Sequence, residues 1–377
     1  MRKRAGILAL VLPAALAPLA AQTPPSKLAA QTPPSKAAAQ TPPSKAAART
    51  PPSQEAAAQT PPSKAAAPTP PPQPDAQTPA KPEKLADGVW ALEPAKGANV
   101  GWFLLGDGVI AVDSGADSAT GKQILEAIAQ TTSGKPVRAL VLTHNHADHS
   151  GGARAFAAAG ARVLCQESIA GAVLAFLTQP TNDPSDPLAG RSDFRPVVEA
   201  VSERTILVDG LHNAQIYFLA AAHTRGDLLL YLVNDKILFA GDIALNGRLP
   251  FMQSADVDAD GWERVLATIQ KVGPEKMVPG HGTIGPITGI NDSLAYVHRV
   301  AEITRKIVNN GIRDELIDAE IRAPENRIQN VPLSESHIAN VKATVKAMRE
   351  KVAHRTTPTP ASRPGAAVSP TPTPAKR

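Results

Sequence analysis

The stretch Thr143-His144-Asn145-His146-Ala147-Asp148-His149-Ser150-Gly151-Gly152 places three of the chain's nine histidines within six residues. It follows Ala139-Leu140-Val141-Leu142, a wholly apolar run of the kind that forms a buried strand, so His144 leaves the strand's end. While the backbone stays extended, His144 and His146 point the same way and can bind one cation through neutral imidazole. Where the chain then turns, Asp148 and His149 aim at a neighbouring position. Ser150 with two glycines offers an N-cap and lets the next helix start close to the metals.

Three more segments carry one ligand-type residue each at a strand mouth beside glycine. They are Ala221-Ala222-His223-Thr224-Arg225-Gly226-Asp227, Leu238-Phe239-Ala240-Gly241-Asp242 and Met277-Val278-Pro279-Gly280-His281-Gly282. Together they complete two sites: His144, His146 and His223 around one metal, and Asp148, His149 and His281 around the other, with Asp242 placed to bridge them. His212, His298, His337 and His354 sit in loop or helical contexts and read as surface or capping residues.

Around these motifs, periodicity predicts strands at 100–105, 109–112, 139–142, 162–165, 205–208, 216–220, 228–232 and 237–240. Helices are predicted at 118–130, 152–159 and 260–271, which together with the strands makes an α/β layered body. Beyond Gly289 only helical patterns follow, at 293–308, 314–319 and 335–354, a C-terminal helical extension. Pro180, Pro184 and Pro187 break every period between Leu174 and Arg204, predicting a long surface loop. Cys165, the one cysteine, excludes a disulfide framework and a Cys-rich zinc module, and its apolar neighbours predict a buried thiol.

The ends differ from the body. Of 37 prolines, 25 lie before Leu85 or after His354, and the formal charge of +5 divides as +7 before Leu85, −6 from Leu85 to His354 and +4 after it. The basic pI of about 9.3 therefore belongs to the ends, and an acidic body in a chain with 3% aromatic residues offers no nucleic-acid surface. Met1-Arg2-Lys3-Arg4 before an apolar stretch to Ala21 has the order of a secretory signal or an N-terminal anchor (1–21). From Gln22 to Lys84 the repeated Thr-Pro-Pro-Ser, at Thr23, Thr32, Thr41, Thr50 and Thr60, reads as a disordered, stiff linker that can tether the chain to a membrane or cell wall. Residues 355–377 form a Pro/Thr-rich tail of the same kind. The expected location is exported: periplasmic or secreted.

His144-x-His146-x-Asp148-His149, followed in order by His223, Asp242 and His281, resembles the metallo-β-lactamase superfamily, and Val112-Asp113-Ser114-Gly115 is similar to that family's early Asp motif. The resemblance covers roughly residues 85 to 285 and implies an αββα sandwich over 85–289 with the helical extension at 290–354 outside it. It implies a zinc-dependent hydrolase with two Zn2+ per chain, iron or manganese being the alternatives. There a metal-bridging hydroxide, oriented by Asp148, attacks an ester, thioester, lactone or lactam type bond of a small-molecule substrate. Asp113, Thr224 and Asp227 are candidate hydrogen-bond partners of the ligand imidazoles, and Arg248 and Phe251 are candidates to line the substrate groove.

The branch stays open. β-Lactamases of the family generally lack the bridging aspartate that this chain keeps at Asp242. Glyoxalase II-like thioesterases keep all seven ligands, yet no Arg/Lys pattern for glutathione follows Gly289. Persulfide dioxygenases use one iron with two His and the Asp. The stretch 239–251 with Trp262 resembles exported zinc hydrolases found beside sulfur-oxidation and quinoprotein systems. A metal-binding scaffold is the non-enzyme alternative.

Overall fold

The computed structural model describes residues 81–209 and 211–356. The expected signal, nearly all of the repeat linker and the tail after residue 356 lie outside them. Seven strands form the first sheet in sequence order: β1 (Glu83–Ala86), β2 (Val89–Leu92), β3 (Val100–Leu105), β4 (Gly108–Val112), β5 (Val137–Val141), β6 (Arg162–Gln166) and β7 (Val198–Val201). β1 to β4 pair antiparallel, whereas β4 to β7 run parallel through the crossover helices α1 (Ser118–Thr131), α2 (Ala147–Ser150), α3 (Ala153–Ala158) and α4 (Glu167–Thr178).

The second sheet has β8 (Arg204–Val208), β9 (Asn213–Tyr217), β10 (Leu229–Leu232), β11 (Ile237–Gly241) and β12 (Lys276–Pro279). Its last pair is parallel, joined by α5 (Ala259–Val272). The helices α6 (Thr288–Asn309), α7 (Asp314–Arg322) and α8 (Glu335–Thr356) follow β12 among the described residues.

Alternation along the strands sorts the side chains into layers. Ile110, Val112 and Val141 face the second sheet and meet Ile216, Leu230, Phe239 and Val278, while Ala111, Leu140 and Val163 face outward onto Ile124, Ile128 and Phe156 of α1 and α3. On the far side, Leu229, Leu238 and Ala240 pack against Trp262, Leu266, Val297, Val300 and Val341 of α5, α6 and α8. This is the expected αββα sandwich. The C-terminal helices share one core with α5. Trp262 is fully buried and its indole donates to the Ile243 carbonyl at 2.8 Å, which ties α5 to the segment after β11.

The structure differs from the sequence expectation at several edges. β1 and β2 are additional, and the expected loop after Leu174 is shorter, because α4 runs to Thr178 and β7 begins at Val198. Ser150 does not cap a helix; its hydroxyl donates back to the His146 carbonyl at 3.0 Å. The two glycines act through size: a Cβ on Gly151 or Gly152 would stand 2.0 Å from the carbonyl oxygen of Ala116 or Ser114. They let the ligand turn press against the loop after β4.

Candidate metal centre

Asp113, the His144–His149 turn, Asp242 and His281 follow β4, β5, β11 and β12, whose parallel pairings bring their carboxyl ends to one edge of each sheet. His223, in the connection between β9 and β10, joins them. His144 Nε2 and His223 Nε2 each lie 3.0 Å from His146 Nδ1. Beside them His281 Nε2 stands 3.0 Å and His149 Nε2 3.9 Å from Asp148 Oδ2. Asp242 faces both groups, with Oδ2 3.6 Å from His223 Nε2 and Oδ1 3.3 Å from His149 Nε2 and 3.7 Å from His281 Nε2. All seven expected ligands thus converge, with the ligand atoms of each triad within 4.8 Å of one another.

The donor set fits divalent cations. His146 Nδ1 carries at most one hydrogen yet faces two other ring nitrogens, so protons alone do not satisfy the cluster. His149 Nε2 and Asp242 Oδ1 are buried with no hydrogen bond and only their 3.3 Å approach to each other; a buried group left unsatisfied costs about 1–3 kcal/mol unless something else binds it. Burial, reinforced by His149 and His223, holds the His144 imidazole well below its ordinary value. Burial also takes His223 down to about 4. Both rings are therefore neutral and their lone pairs free, as metal ligation requires. Burial opposes the charge on Asp242, but the His149 ring beside it holds its carboxyl well below the usual carboxylate range. Neutral imidazoles with carboxylates are a common zinc donor set.

Behind the ligands, Asp113 Oδ2 lies 2.8 Å from His149 Nδ1 while its carboxylate accepts from the Thr143 N–H and hydroxyl, each at 2.8 Å. Asp113 has φ of 59°, a left-handed conformation uncommon outside glycine, and this turn aims its carboxylate at the ring. Thr224 and Asp227 do not fill the expected role, since their hydrogen bonds run to each other. The Thr224 N–H and hydroxyl both donate to the Asp227 carboxylate at 2.8 Å, bracing the turn after His223. His223 Nδ1 instead donates to the Phe251 carbonyl at 2.9 Å, and Ser254 Oγ lies 3.3 Å from His146 Nε2. Neither contact had a signal in the sequence, where Phe251 was expected only at the substrate groove, whereas Thr143 stood inside the ligand motif.

Two other histidines depart from expectation. His212 and His337 are buried rather than at the surface, with ring nitrogens 2.9 Å from Asp235 and 3.1 Å from the Tyr296 hydroxyl. His298, beside Glu263, and His354 are exposed as expected. An open cavity of about 500 Å3 lies over the centre, lined by His146, Asp148, Asp242 and His281 together with Arg248, Leu249 and Phe251.

The family model described as the metallo-beta-lactamase superfamily matches residues 95–281, a span that contains all seven converging residues and Asp113. The chain belongs to the metallo-β-lactamase superfamily. Among superfamily relatives, a linear primary-alkylsulfatase from Pseudomonas sp. is 23% identical over 285 residues, 64% of this chain and 53% of that protein. An acyl-coenzyme A thioesterase from Homo sapiens is 31% identical over 156 residues, 37% of this chain and 54% of that protein. The chain spans about half the length of these relatives. A solved metallo-beta-lactamase from Pontibacter korlensis aligns with a TM-score of 0.47 at 23% identity, over 58% of this chain and 99% of that one.

Proposed function

We propose that the protein is a metal-dependent hydrolase that cleaves an ester, thioester, lactone or lactam type bond in a small molecule, using two Zn2+ held by His144, His146 and His223 and by Asp148, His149 and His281, with Asp242 shared. The observation that carries the proposal is the convergence of seven ligand atoms, two of them buried and unpartnered, at the floor of an open cavity. Bound divalent cations supply Lewis acidity there and bring the pKa of a coordinated water to about 7. The chain's own residues do the rest. Asp113, through His149, and Phe251, through His223, fix which ring nitrogen faces the centre. Asp148, half-buried at the cavity wall, orients the attacking water, and Asp242 keeps the two halves of the site in register.

Substrate choice falls to the part of the lining formed by Arg248, Leu249 and Phe251. Arg248 is exposed, with no ion pair to any described residue, while Leu249 and Phe251 expose apolar surface beside it. Such a wall suits a substrate with an anionic group and an apolar arm. The names of the alkylsulfatase and thioesterase relatives add alkyl sulfates and acyl thioesters to the panel worth testing. With the proposed export signal, the reaction would take place outside the cytoplasm. The test is a panel of anionic and uncharged esters, thioesters, lactones, lactams and alkyl sulfates given to the zinc-loaded protein and to Arg248→Ala. Turnover of an anionic member, with KM raised in the variant, supports the proposal; zinc bound without turnover of any member overturns it in favour of a metal-binding scaffold.

A further inference from the structure

The C-terminal helix α8 reaches the segment behind His223 through Asn340, which is buried at 2% exposure. Its Nδ2 donates to the Pro250 carbonyl at 2.8 Å and its Oδ1 accepts the Met252 N–H at 3.0 Å, so the amide pairs with the backbone on both sides of Phe251 as a neighbouring strand would. The remaining capacity is also used: Nδ2 donates to the Tyr296 hydroxyl at 2.9 Å, and Oδ1 accepts from Gln253 Nε2 at 3.3 Å. Since the Met252 N–H can only donate and the Pro250 carbonyl can only accept, the amide has a single orientation that serves both. The residue held between them does two things at the site. Its carbonyl accepts the His223 Nδ1 hydrogen, and its ring stands edge-on to His146 and His223, with centroids 6.5 and 6.3 Å away.

We infer that Asn340 is a positioning residue for the metal centre, clamping the 250–252 backbone so that the Phe251 carbonyl holds His223 in the tautomer that presents Nε2 to the cation. The inference rests on the metal-binding reading above and extends it to a helix outside the matched family region, which ends at residue 281. Tyr296 of α6 anchors the amide from behind, its hydroxyl lying between Asn340 and His337. Loss of the clamp frees the carbonyl to drift from His223, and hydrogen-bond partners standing behind metal ligands are worth about 10–100-fold in affinity.

The test uses the full chain and cobalt(II) or zinc alone, in competition with a chromogenic chelator and with the cobalt absorption spectrum recorded. Asn340→Ala is expected to weaken one of two binding events by about 10–100-fold and to change the cobalt spectrum. Val341→Ala, next to it on α8 and equally buried but turned into the apolar core, is expected to lower thermal stability and leave both unchanged. Unaltered affinity and spectrum in Asn340→Ala, or the same loss in Val341→Ala, overturns the inference. Should Asn340→Ala not fold, Tyr296→Phe is read in its place: a smaller shift in the same direction supports the clamp and no shift overturns it. Absence of metal binding by the unaltered protein would overturn the proposed function itself, a different outcome from equal binding by protein and variant.

Discussion

Gly280, one residue before His281, should tolerate no side chain. A Cβ there would stand 2.0 Å from Asp242 Oδ1 and 2.9 Å from the His149 ring, where ordinary contact begins at 3.4 Å. The backbone has nowhere to retreat: the Gly280 N–H donates to the Gly241 carbonyl at 2.7 Å and its own carbonyl accepts the Asn99 N–H at 2.7 Å. In Gly280→Ala the Asp242 carboxylate must therefore move by about 1.4 Å to restore contact distance. A displacement of that order at reacting groups costs about 10²-fold in rate, whereas overpacking one methyl costs about 1–3 kcal/mol in stability. Turnover, metal content and thermal unfolding measured on the same preparation separate the two effects. The expected variant is folded, melts several degrees lower, holds less metal and turns over at least about 100-fold more slowly. A folded variant with full metal content and undiminished turnover would refute the placement of Asp242 between the two groups.

Three further outcomes follow from the same geometry. His146→Ala, which removes the nitrogen facing both His144 and His223, should abolish hydrolysis while circular dichroism shows the fold intact. Zinc added at about 100 times its dissociation constant should stabilise the chain by about 2.7 kcal/mol per site, seen as a rise of roughly 5–10 °C in melting temperature; a melting curve indifferent to zinc and to chelator would contradict the site. Burial pushes the Cys165 thiol up to about 11. The folded state keeps that proton after the unfolded chain has lost it, so this contribution to stability is full below the unfolded pKa of about 8.5 and declines as pH rises toward the folded value. Urea unfolding of Cys165→Ala should accordingly fall less between about pH 8 and about pH 10 than that of the unaltered protein.

Most ligand residues were legible because they stand where an apolar strand runs out, and strand ends in layered α/β folds gather at one edge; His223 is the exception, six residues past the end of β9 at Tyr217 rather than just after the strand expected at 216–220. His144 and His146 could be paired from backbone alternation alone, and Asp148 and His149 separated from them by the turn. What lay behind the ligands was legible only where it was local. Asp113 follows its own apolar strand, but the contacts of His223 and His146 with Phe251 and Ser254 join residues 28 and 108 positions apart, and those of Asn340 with the 250–253 segment span 87 to 90. Nothing in residue type marks such pairs before the layers close. Thr224 and Asp227 misled for the opposite reason: polar residues beside a ligand suggested a link to its ring, yet a short turn satisfied them with each other. His212 and His337 misled because loop and helix positions suggested exposure, whereas Asp235 and the Tyr296 hydroxyl each supply a partner for the Nδ1 of a buried ring. The helices after Gly289 announced themselves by period but not their place, since the surface they cover, Trp262 and Leu266 on α5, is formed only once the second sheet is assembled.

The most direct test of the two-metal account is a calorimetric titration of the metal-depleted full chain with zinc, with turnover followed on the same samples. Two equivalents bound, with hydrolysis of a panel substrate restored as they bind, is the result the geometry predicts. No binding, or turnover that is the same before and after zinc, would contradict it.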